Sequence, residues 1–499
     1  MTAHSYSKVI LLDCPHQIVE TAVKIFSENL SIQLLTVVSN EAVGEKQSLI
    51  PRTVSFWEVP ELIMRDRNKL SLSTVELHHL QPYETVYREL ETRWQGFPQK
   101  VVEQDSNFRF AKAVNWWLDK FVEMNVGGLF AFYPPHTIAS YPAYIAAKLK
   151  GIPFLFLDVA KVLEKYLFFS CSFSNRNGLL EKENLPKVDL EGDLQRLKEN
   201  LANGQYKGAL PESLSRSSNQ RSQIILQELK AFGRALSGGM TVPSFVYFSS
   251  KELFAFKRQR QKLQFWKFRW LRKLEIQKLK SFYRKSCCAL NEIRQPFVYF
   301  GLHLHPEATT LPIACESRNW LVCAELLLCG IPQDHLLVIK INPVQISQKY
   351  FQPSHYSTGI SIESMEYLAE KANVRFVDER TDSLELIQKS VVSATINGTL
   401  AVESILLQKR CLIFGDNWYS RLPGITKVRR VEDVKNAFLE SKRIFPGEKL
   451  HLLVAMEYLF EPSNLDRKQF NKADVELLRN SFSAFIERAR IDWSDCLCY

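Results

Sequence analysis

The second half of the chain alternates short, uninterrupted apolar runs with segments of helical periodicity. The apolar runs are rich in Val and Ile and do not alternate with polar residues, which is typical of strands that helices cover on both faces. Strands are predicted at 297–304, 336–341, 374–377, 391–396 and 410–414, and helices at 320–328, 362–371, 384–389 and 400–407. This order restricts the second half to an open, mainly parallel α/β sheet.

The same order of elements begins near the N-terminus. Residues 8–14 form an apolar run, a helical pattern follows, and a second apolar run covers residues 32–38. Further strands are predicted at 126–132 and 152–157, and the helix between them ends at Gly151. We therefore expect an α/β fold of two Rossmann-like open parallel-sheet domains, which normally hold a ligand in the cleft that they face.

One stretch carries the excess positive charge. The chain has 499 residues and a net charge of +10, and residues 251–285 alone contain 13 basic and two acidic side chains. The rest of the chain therefore has a net charge of −1, which excludes a generally basic protein that coats nucleic acid. Apolar side chains recur at helical spacing within the stretch, which predicts an amphipathic helix between the two halves.

Three interpretations of this basic helix remain open. It is a solvated linker whose aromatic side chains pack on the domains, a helix on an anionic membrane surface, or a nucleic-acid site. No nucleic-acid-binding motif accompanies it, so we expect no nucleic-acid partner. The candidate membrane-surface residues are Trp266, Arg269, Trp270, Arg272 and Lys273.

The sequence shows no membrane-spanning segment and no secretion signal. No run of about 18 apolar residues occurs, so no helix is expected to cross a bilayer. The apolar stretch at the N-terminus is too short for a signal peptide. The ten cysteines show no metal-ligand spacing, and we expect reduced thiols and no metal site. These features predict a cytoplasmic protein, with a peripheral position on the inner face of the plasma membrane as an option.

The sharpest local motif is a turn between a predicted strand and a predicted helix. Asn397, Gly398 and Thr399 form this turn: the Asn-Gly pair permits an unusual backbone angle, and Thr399 stands where an N-cap belongs. Backbone N–H groups at such a helix start favour a phosphate, and Glu403, one turn further on, would accept hydrogen bonds from sugar hydroxyls. The alternative is a capped helix with a surface Glu.

Other strand ends also carry polar groups. His303, His305 and Glu307 cluster at the end of the first strand of the second half, where an imidazole or carboxylate can act as a general base. A zinc site is less favoured there, because no further ligand is visible. The remaining candidates are Lys340 and Asn342, which share one face of the next strand, and Asp416, which follows the strand at 410–414. For each of them a purely structural strand end is the alternative.

Four segments of the chain are FVYFGLHLHPEATT, LLVIKINPVQ, SLELIQKSVVSATINGTLAVESILLQKRCLIFGDNWY and PGITKV. In their order, and nearly in their spacing, they resemble the bacterial capsule polysaccharide biosynthesis family, whose members include β-Kdo transferases. The resemblance covers about residues 295–430, and the first half only in its general layout. It implies a GT-B architecture, a nucleotide-sugar donor linked to CMP or UDP, a glycan or lipid-linked acceptor, and no cofactor or metal.

Within the matched segments, the family's Gln-Pro-Glu reads His305-Pro306-Glu307, which makes His305 and Glu307 the catalytic candidates that the resemblance implies. The family's Lys-Glu-His-Pro reads Lys340-Ile341-Asn342-Pro343. The uncharged Asn342 therefore replaces a His that resembles a donor-phosphate ligand. Three interpretations follow: a glycosyltransferase, for which CMP-Kdo is one candidate donor, a catalytically degenerate partner in polysaccharide assembly or export, and a nucleotide-sugar epimerase.

The predicted domain organisation follows from the same features. Residues 1–245 form the N-terminal Rossmann-like domain on the acceptor side, and 246–294 form the basic helical linker. Residues 295–430 form the C-terminal Rossmann-like domain that holds the donor. Residues 431–499 form C-terminal helices that pack back on the domains.

Overall fold

The computed structural model describes residues 8–14, 33–39, 53–55, 59, 62–63, 66, 70–95, 106–160, 166–170, 195, 199, 229–230, 232–234, 236–237, 255–305, 309–346, 359–417, 419–420, 422 and 424–441. Several sequence predictions lie outside these residues, among them Glu307, the first helical pattern and the helices predicted after residue 441.

The N-terminal half is built on a six-stranded sheet with the order β3-β2-β1-β4-β5-β6. Its strands are β1 (Lys8–Cys14), β2 (Gln33–Ser39), β3 (Thr53–Ser55), β4 (Gly128–Ala131), β5 (Phe154–Ala160) and β6 (Tyr166–Ser170). The first five strands are parallel, and β6 runs antiparallel to β5. Its described helices are α1 (Thr74–Gln95), α2 (Ser106–Met124) and α3 (Ser140–Lys150). The order 3-2-1-4-5 is that of a doubly wound, Rossmann-like sheet.

The C-terminal half contains a seven-stranded sheet with the order β13-β12-β11-β8-β9-β10-β7. Its strands are β7 (Cys287–Cys288), β8 (Phe297–Gly301), β9 (Leu336–Lys340), β10 (Val374–Val377), β11 (Val392–Thr395), β12 (Cys411–Ile413) and β13 (Ile425–Lys427). All pairings in it are parallel. Without the edge strand β7, the order is again that of a Rossmann-like sheet.

Hydrophobic residues cover both faces of the second sheet. Every residue of β8 and β9 is buried. Successive side chains point to opposite faces of the sheet: Tyr299 and Val338 belong to one hydrophobic core, and Val298 and Ile339 belong to the other. This is the result of the two-residue period of a strand. The helices that follow or separate these strands are α5 (Trp320–Gly330), α6 (Ile362–Ala369), α7 (Ser383–Lys389), α8 (Leu400–Leu406) and α9 (Val431–Ser441). The predicted fold class, two Rossmann-like parallel sheets of GT-B type, is confirmed.

The basic stretch forms one long helix, α4 (Ala255–Ser286). Its last turns are docked on the second sheet, where Ile276, Leu279 and Tyr283 are buried. The Tyr283 hydroxyl donates to the Val377 carbonyl oxygen at 2.6 Å and accepts from the Ile341 N–H at 2.9 Å. The helix therefore leads directly into β7 and the C-terminal sheet. Within the described part of the chain, no helix is both long and apolar enough to cross a membrane.

The membrane-surface candidates lie on the first two thirds of α4. The rings of Trp266 and Trp270 are stacked with centroids 6.2 Å apart, and Phe232 lies 4.6 Å from Trp266. Arg269, Arg272 and Lys273 belong to the helix backbone, and their side chains lie outside the description. Contact with a membrane therefore stays a prediction.

A segment after β8 joins the two halves. Leu311 and Ile313 are buried in the core of the N-terminal half. The guanidinium of Arg318 lies 2.9 Å from both carboxylate oxygens of Glu89 on α1. Apolar packing and one ion pair therefore connect the halves at this point.

Several elements escaped sequence-based prediction. The helix α1 contains Pro82, and an internal Pro usually argues against a helix because it removes one hydrogen bond and its ring crowds the preceding turn. The helix α2 also was not predicted. The strands β3, β7 and β13 contain only two or three residues, too few for a period to be recognised.

Candidate functional site

The C-terminal sheet has a switch point between its central strands β8 and β11. From β8 the chain continues to β9 on one side, and from β11 it continues to β12 on the other side. In open α/β sheets, ligands bind in the crevice outside the carboxyl ends of the strands at such a point. Here this edge carries His303 after β8 and the turn Asn397-Gly398-Thr399 after β11.

His303 fixes the turn from the side of β8. Its Nε2 lies 3.3 Å from the Asn397 backbone N, and its Nδ1 lies 3.4 Å from Thr395 Oγ1. Because Nε2 accepts the Asn397 N–H, the hydrogen-bond pattern assigns the ring proton to Nδ1, which makes the imidazole neutral. Thr395 Oγ1 lies 3.2 Å from the Gly301 carbonyl oxygen. His303 thus ties the ends of β8 and β11 together.

Position 398 requires a glycine because neighbouring side chains leave no room for a Cβ atom. A Cβ at this position would lie 2.8 Å from Thr395 Oγ1 and 2.9 Å from His303 Nε2, and both neighbours would have to move. Its φ is outside the positive region, in contrast to Gly151, Gly359 and Gly424. The turn therefore does not use the unusual backbone angle that an Asn-Gly pair permits, and the close approach of His303 is the physical reason for the glycine.

Asn397 is buried and bonded to two loops. Its Nδ2 donates to the Thr309 carbonyl oxygen at 2.9 Å, and its own carbonyl oxygen accepts from Asn417 Nδ2 at 3.2 Å. The Tyr419 hydroxyl donates to the Gly398 carbonyl oxygen at 2.8 Å. The sequence analysis selected Asp416 after β12, but it did not select Asn417 or Tyr419 as supports of the turn.

Thr399 and Glu403 bond to each other. Thr399 occupies the predicted N-cap position of α8, but it has helical backbone angles and its side chain makes no capping hydrogen bond. Its hydroxyl Oγ1 donates to Glu403 Oε1 at 3.0 Å. Burial raises the pKa of Glu403, while this hydrogen bond and the charge of Lys340 oppose the rise. The carboxylate is thus held beside its own helix start.

Lys340 and Asn342 both make hydrogen bonds within the fold. The Lys340 ammonium is buried and donates to the Thr381 carbonyl oxygen at 2.8 Å and to Ser383 Oγ at 2.5 Å. Burial lowers its pKa, and the charges of Asp382 and Glu403 counteract this. Asn342 Oδ1 accepts from the Val344 N–H at 2.9 Å, which closes a turn after β9. A contact of either residue with a donor stays a prediction.

His305 and Asp416 lie on opposite flanks of the site. The His305 backbone exchanges two hydrogen bonds with the Gln345 side chain, at 2.7 and 2.8 Å. The His305 ring rests against Gly359, where an added Cβ would lie 1.7 Å from the ring Cδ2. Asp416 forms an ion pair with Lys427, with Oδ1 and Nζ 2.5 Å apart. The described residues contain no cluster of three His, Cys, Asp or Glu side chains that could hold a metal ion.

The structure therefore assembles two adjoining groups from the sequence-predicted residues. One contains Asn397 and Gly398 with His303, and the other contains Lys340, Thr399 and Glu403. The charges of Lys340 and Glu403 act on each other. Together they place backbone amides, hydroxyls and one ammonium at the edge of a Rossmann-like sheet, the kind of edge at which such sheets hold nucleotides.

No protein-family model and no curated protein sequence matches this chain. Similar solved structures include the UDP-GlcNAc 2-epimerase of Neisseria meningitidis bound to UDP-GlcNAc, with 10% identity, a TM-score of 0.24, and coverage of 91% of this chain and 99% of that one. The β-Kdo 2,4 transferase of Thermosulfurimonas dismutans shows 12% identity and a TM-score of 0.28, with coverage of 73% and 92%. A trehalose-6-phosphate synthase shows 10% identity and a TM-score of 0.29, with coverage of 97% and 98%.

These likenesses are too distant to bear on activity. The class of protein is instead defined by the two sheets, which have Rossmann-like strand order in both halves of the chain. The chain is a GT-B-like, two-domain α/β protein.

Proposed function

We propose that this chain is a glycosyltransferase that uses a nucleotide-sugar donor. The observation that carries the proposal is the meeting of His303 with the Asn397–Gly398 turn at the switch point of the second Rossmann-like sheet. Such an edge is the usual nucleotide position in doubly wound sheets. The resemblance of residues 295–430 to a glycosyltransferase family supports the same conclusion.

In this proposal the donor phosphate lies beside the turn. The residues that contact it are Asn397, Gly398 and Thr399, and Glu403 faces the ribose. The flanking donor-side residues are Lys340, Asn342 and Asp416. Because the nucleotide leaves through its phosphate oxygen, the protein contributes mainly position and electrostatic stabilisation of that phosphate.

The catalytic candidates of the proposal are Glu307 and His305. Glu307 either takes the proton of the attacking hydroxyl or binds the donor sugar. The finer assignment is transfer of Kdo from CMP-Kdo to a glycan or lipid-linked acceptor in capsule or surface polysaccharide synthesis. It needs no cofactor or metal, and it places α4 near the anionic membrane that carries the acceptor.

Calorimetry with CMP and with UDP tests the donor site. We expect one of them to bind, and Gly398→Ala to weaken that binding by about tenfold, because the added Cβ displaces His303 or Thr395 and costs about 1–3 kcal/mol. Gly233→Ala is the matched control, since a Cβ there meets no atom within 4 Å. If neither nucleotide binds, or if Gly398→Ala binds as the wild type does, the proposed site is wrong.

A catalytically degenerate partner in polysaccharide assembly or export is the second candidate. It is favoured by Asn342, which stands where the resembling family has a His and whose side chain closes a local turn. Hydrolysis of CMP- and UDP-sugars by the wild type and by Asn342→His separates the two. Turnover gained only in the variant indicates a degraded enzyme, and strong turnover by the wild type eliminates this candidate. Conversion of the donor sugar without any acceptor would indicate an epimerase.

A further inference from the structure

The N-terminal sheet has its own switch point, between β1 and β4. From β1 the chain continues to β2 on one side, and from β4 it continues to β5 on the other. Asp13 lies at the carboxyl end of β1. Thr137 lies in the connection from β4 to α3, and Ser140 is the first residue of α3. Three polar side chains therefore lie at the edge where an open α/β sheet binds its ligands.

The burial and backbone conformation of Asp13 both cost free energy of folding. Only 5% of the residue is exposed, and its Oδ2 has no hydrogen-bond partner within the described part of the chain. A buried polar atom without a partner costs about 1–3 kcal/mol. Its φ is +52°, in the left-handed region that non-glycine residues rarely adopt. Residues held in such conformations cluster at functional sites.

Two hydroxyl groups complete the surroundings of Asp13. Thr137 Oγ1 and Ser140 Oγ lie 2.6 Å apart, and Thr137 Oγ1 also accepts the Ser140 N–H at 2.9 Å. Burial raises the pKa of Asp13 to about 7, and hydrogen bonds from Ser140 and Thr137 oppose the rise. Near neutral pH, this carboxyl group can therefore either donate or accept a hydrogen bond.

The chemistry of this group selects the class of ligand. An anion is disfavoured because the carboxyl group would repel it whenever ionised. A metal ion would need further ligands, and the described residues contain no such cluster. Tyr133 and His136, on the same connection as Thr137, are partly exposed, and their ring centroids lie 6.5 Å apart. Apolar or aromatic rims with a few buried polar groups are typical of small-molecule sites.

We propose that Asp13, Thr137 and Ser140 form a second binding site, which takes a hydroxyl group of a neutral carbohydrate. The ligand hydroxyl supplies the missing partner of Asp13 Oδ2. The Ser140 hydroxyl oxygen, whose proton is directed to Asp13, accepts a hydrogen bond from a neighbouring hydroxyl of the sugar. The assignment of this carbohydrate as the acceptor rests on the proposed function. The existence of the site does not.

Saturation-transfer NMR on the full chain tests the site with methyl glucoside, methyl galactoside and N-acetylglucosamine as probes. We expect at least one of them to bind the wild type. Asp13→Gly removes the carboxyl group but tolerates the positive φ, and Ser140→Ala removes one hydroxyl. Each should weaken sugar binding by about tenfold, the effect of one lost buried hydrogen bond. Ser390→Ala, at a buried serine outside this site, should leave it unchanged.

Nucleotide binding serves as the second readout of these variants. Both variants should bind CMP or UDP as the wild type does, so the failure of the donor site and the failure of this site are distinguishable. If Asp13→Gly does not fold, Ser140→Ala decides the question. If no sugar binds, or if sugar binding survives both changes, the proposal is overturned and Asp13 Oδ2 holds a buried water at most.

Discussion

Titratable side chains with shifted pKa values lie near the carboxyl ends of the strands in both sheets. In the C-terminal half, Lys340 is buried and Glu403 is partly buried nearby. Loss of contact with water lowers the pKa of Lys340 and raises the pKa of Glu403, and both shifts favour the neutral form. In the N-terminal half, burial does the same to Asp13. Perturbed titratable groups at such edges are typical of functional sites.

At the residue scale, we predict that Asp13→Asn makes the stability of the protein less dependent on pH. In the folded protein the pKa of Asp13 is raised to about 7, and its ordinary value is 3.8. The wild type therefore loses stability as the pH rises from about 4 to about 7. The loss is at most about 4 kcal/mol, at about 1.36 kcal/mol per pH unit. Asn keeps the size of the side chain and tolerates the positive φ.

Denaturant unfolding at about pH 4 and about pH 8 checks this prediction. The variant should match the wild type at the lower pH and exceed it at the higher one. Asp334→Asn is the control, since Asp334 is exposed and a hydrogen bond from His335 lowers its pKa. That change should not raise stability at the higher pH. An equal effect of Asp13→Asn at both pH values would contradict the raised pKa.

At the scale of elements, the last turns of α4 pack on the C-terminal sheet, and its earlier turns are rich in basic residues. Tyr283 inserts between the ends of β9 and β10 and bonds the backbone of both, and Arg284 forms an ion pair with Glu379. These contacts fix the last turns of the helix on the sheet. Packing of an aromatic side chain on a domain is what the linker interpretation expects, and the membrane interpretation concerns the earlier turns of α4.

We predict that Tyr283→Phe loosens the junction between α4 and the sheet. The change leaves the Ile341 N–H and the Val377 carbonyl oxygen buried without their partner, at a cost of about 1–3 kcal/mol. Amide hydrogen exchange should accelerate in peptides that contain Ile341. Tyr367→Phe, at a tyrosine that is 46% exposed, should leave exchange in those peptides unchanged. Unaltered protection in Tyr283→Phe would show that this hydroxyl does not hold the junction.

A second prediction for α4 concerns its charge. Reversal of charge at Arg269, Arg272 and Lys273 should weaken binding to anionic liposomes, because each basic residue near such a surface contributes about 1 kcal/mol. Nucleotide binding should not change, and liposomes of neutral lipid serve as the control. Equal binding of the variant and the wild type to anionic liposomes would contradict the membrane interpretation and favour the linker interpretation for these turns.

At the scale of the whole molecule, the segment after β8 couples the two halves. Leu311 and Ile313 complete the N-terminal core, although they follow the first strand of the C-terminal sheet. Arg318 pairs with Glu89, and burial raises the pKa of Glu89 while Arg318 opposes the rise. The switch-point site on β8 is therefore connected by a short stretch of chain to the other half.

We predict that Arg318→Ala destabilises the protein by about 1–2 kcal/mol at neutral pH, because it leaves the partly buried Glu89 carboxylate unpaired. The cost should shrink in acid, where Glu89 becomes protonated, and in the double variant with Glu89→Gln. Thermal unfolding measures both effects. The exposed pair of Arg380 and Asp378 lies within one half, so Arg380→Ala is the control. An undiminished cost in the double variant would show that the ion pair is not the source.

The sequence by itself determined most elements of the second half and the general fold class. Short apolar runs and helical periods are local signals, so strands such as β1 and β10 could be predicted to the residue. The turn at Asn397-Gly398 was also visible, because an Asn-Gly pair between a strand and a helix is a local motif. Elements with weak or short signals, such as α1 and β7, were not.

Only the tertiary structure decided which of these residues meet. His303 and Asn397 are 94 residues apart, and they become neighbours because β8 and β11 pair at the centre of the sheet. Asp13 appears in the sequence as an acid that closes an apolar strand, and its burial beside Thr137 and Ser140 depends on the pairing of β1 with β4. Local periodicity encodes elements, whereas strand order and burial depend on packing between distant parts of the chain.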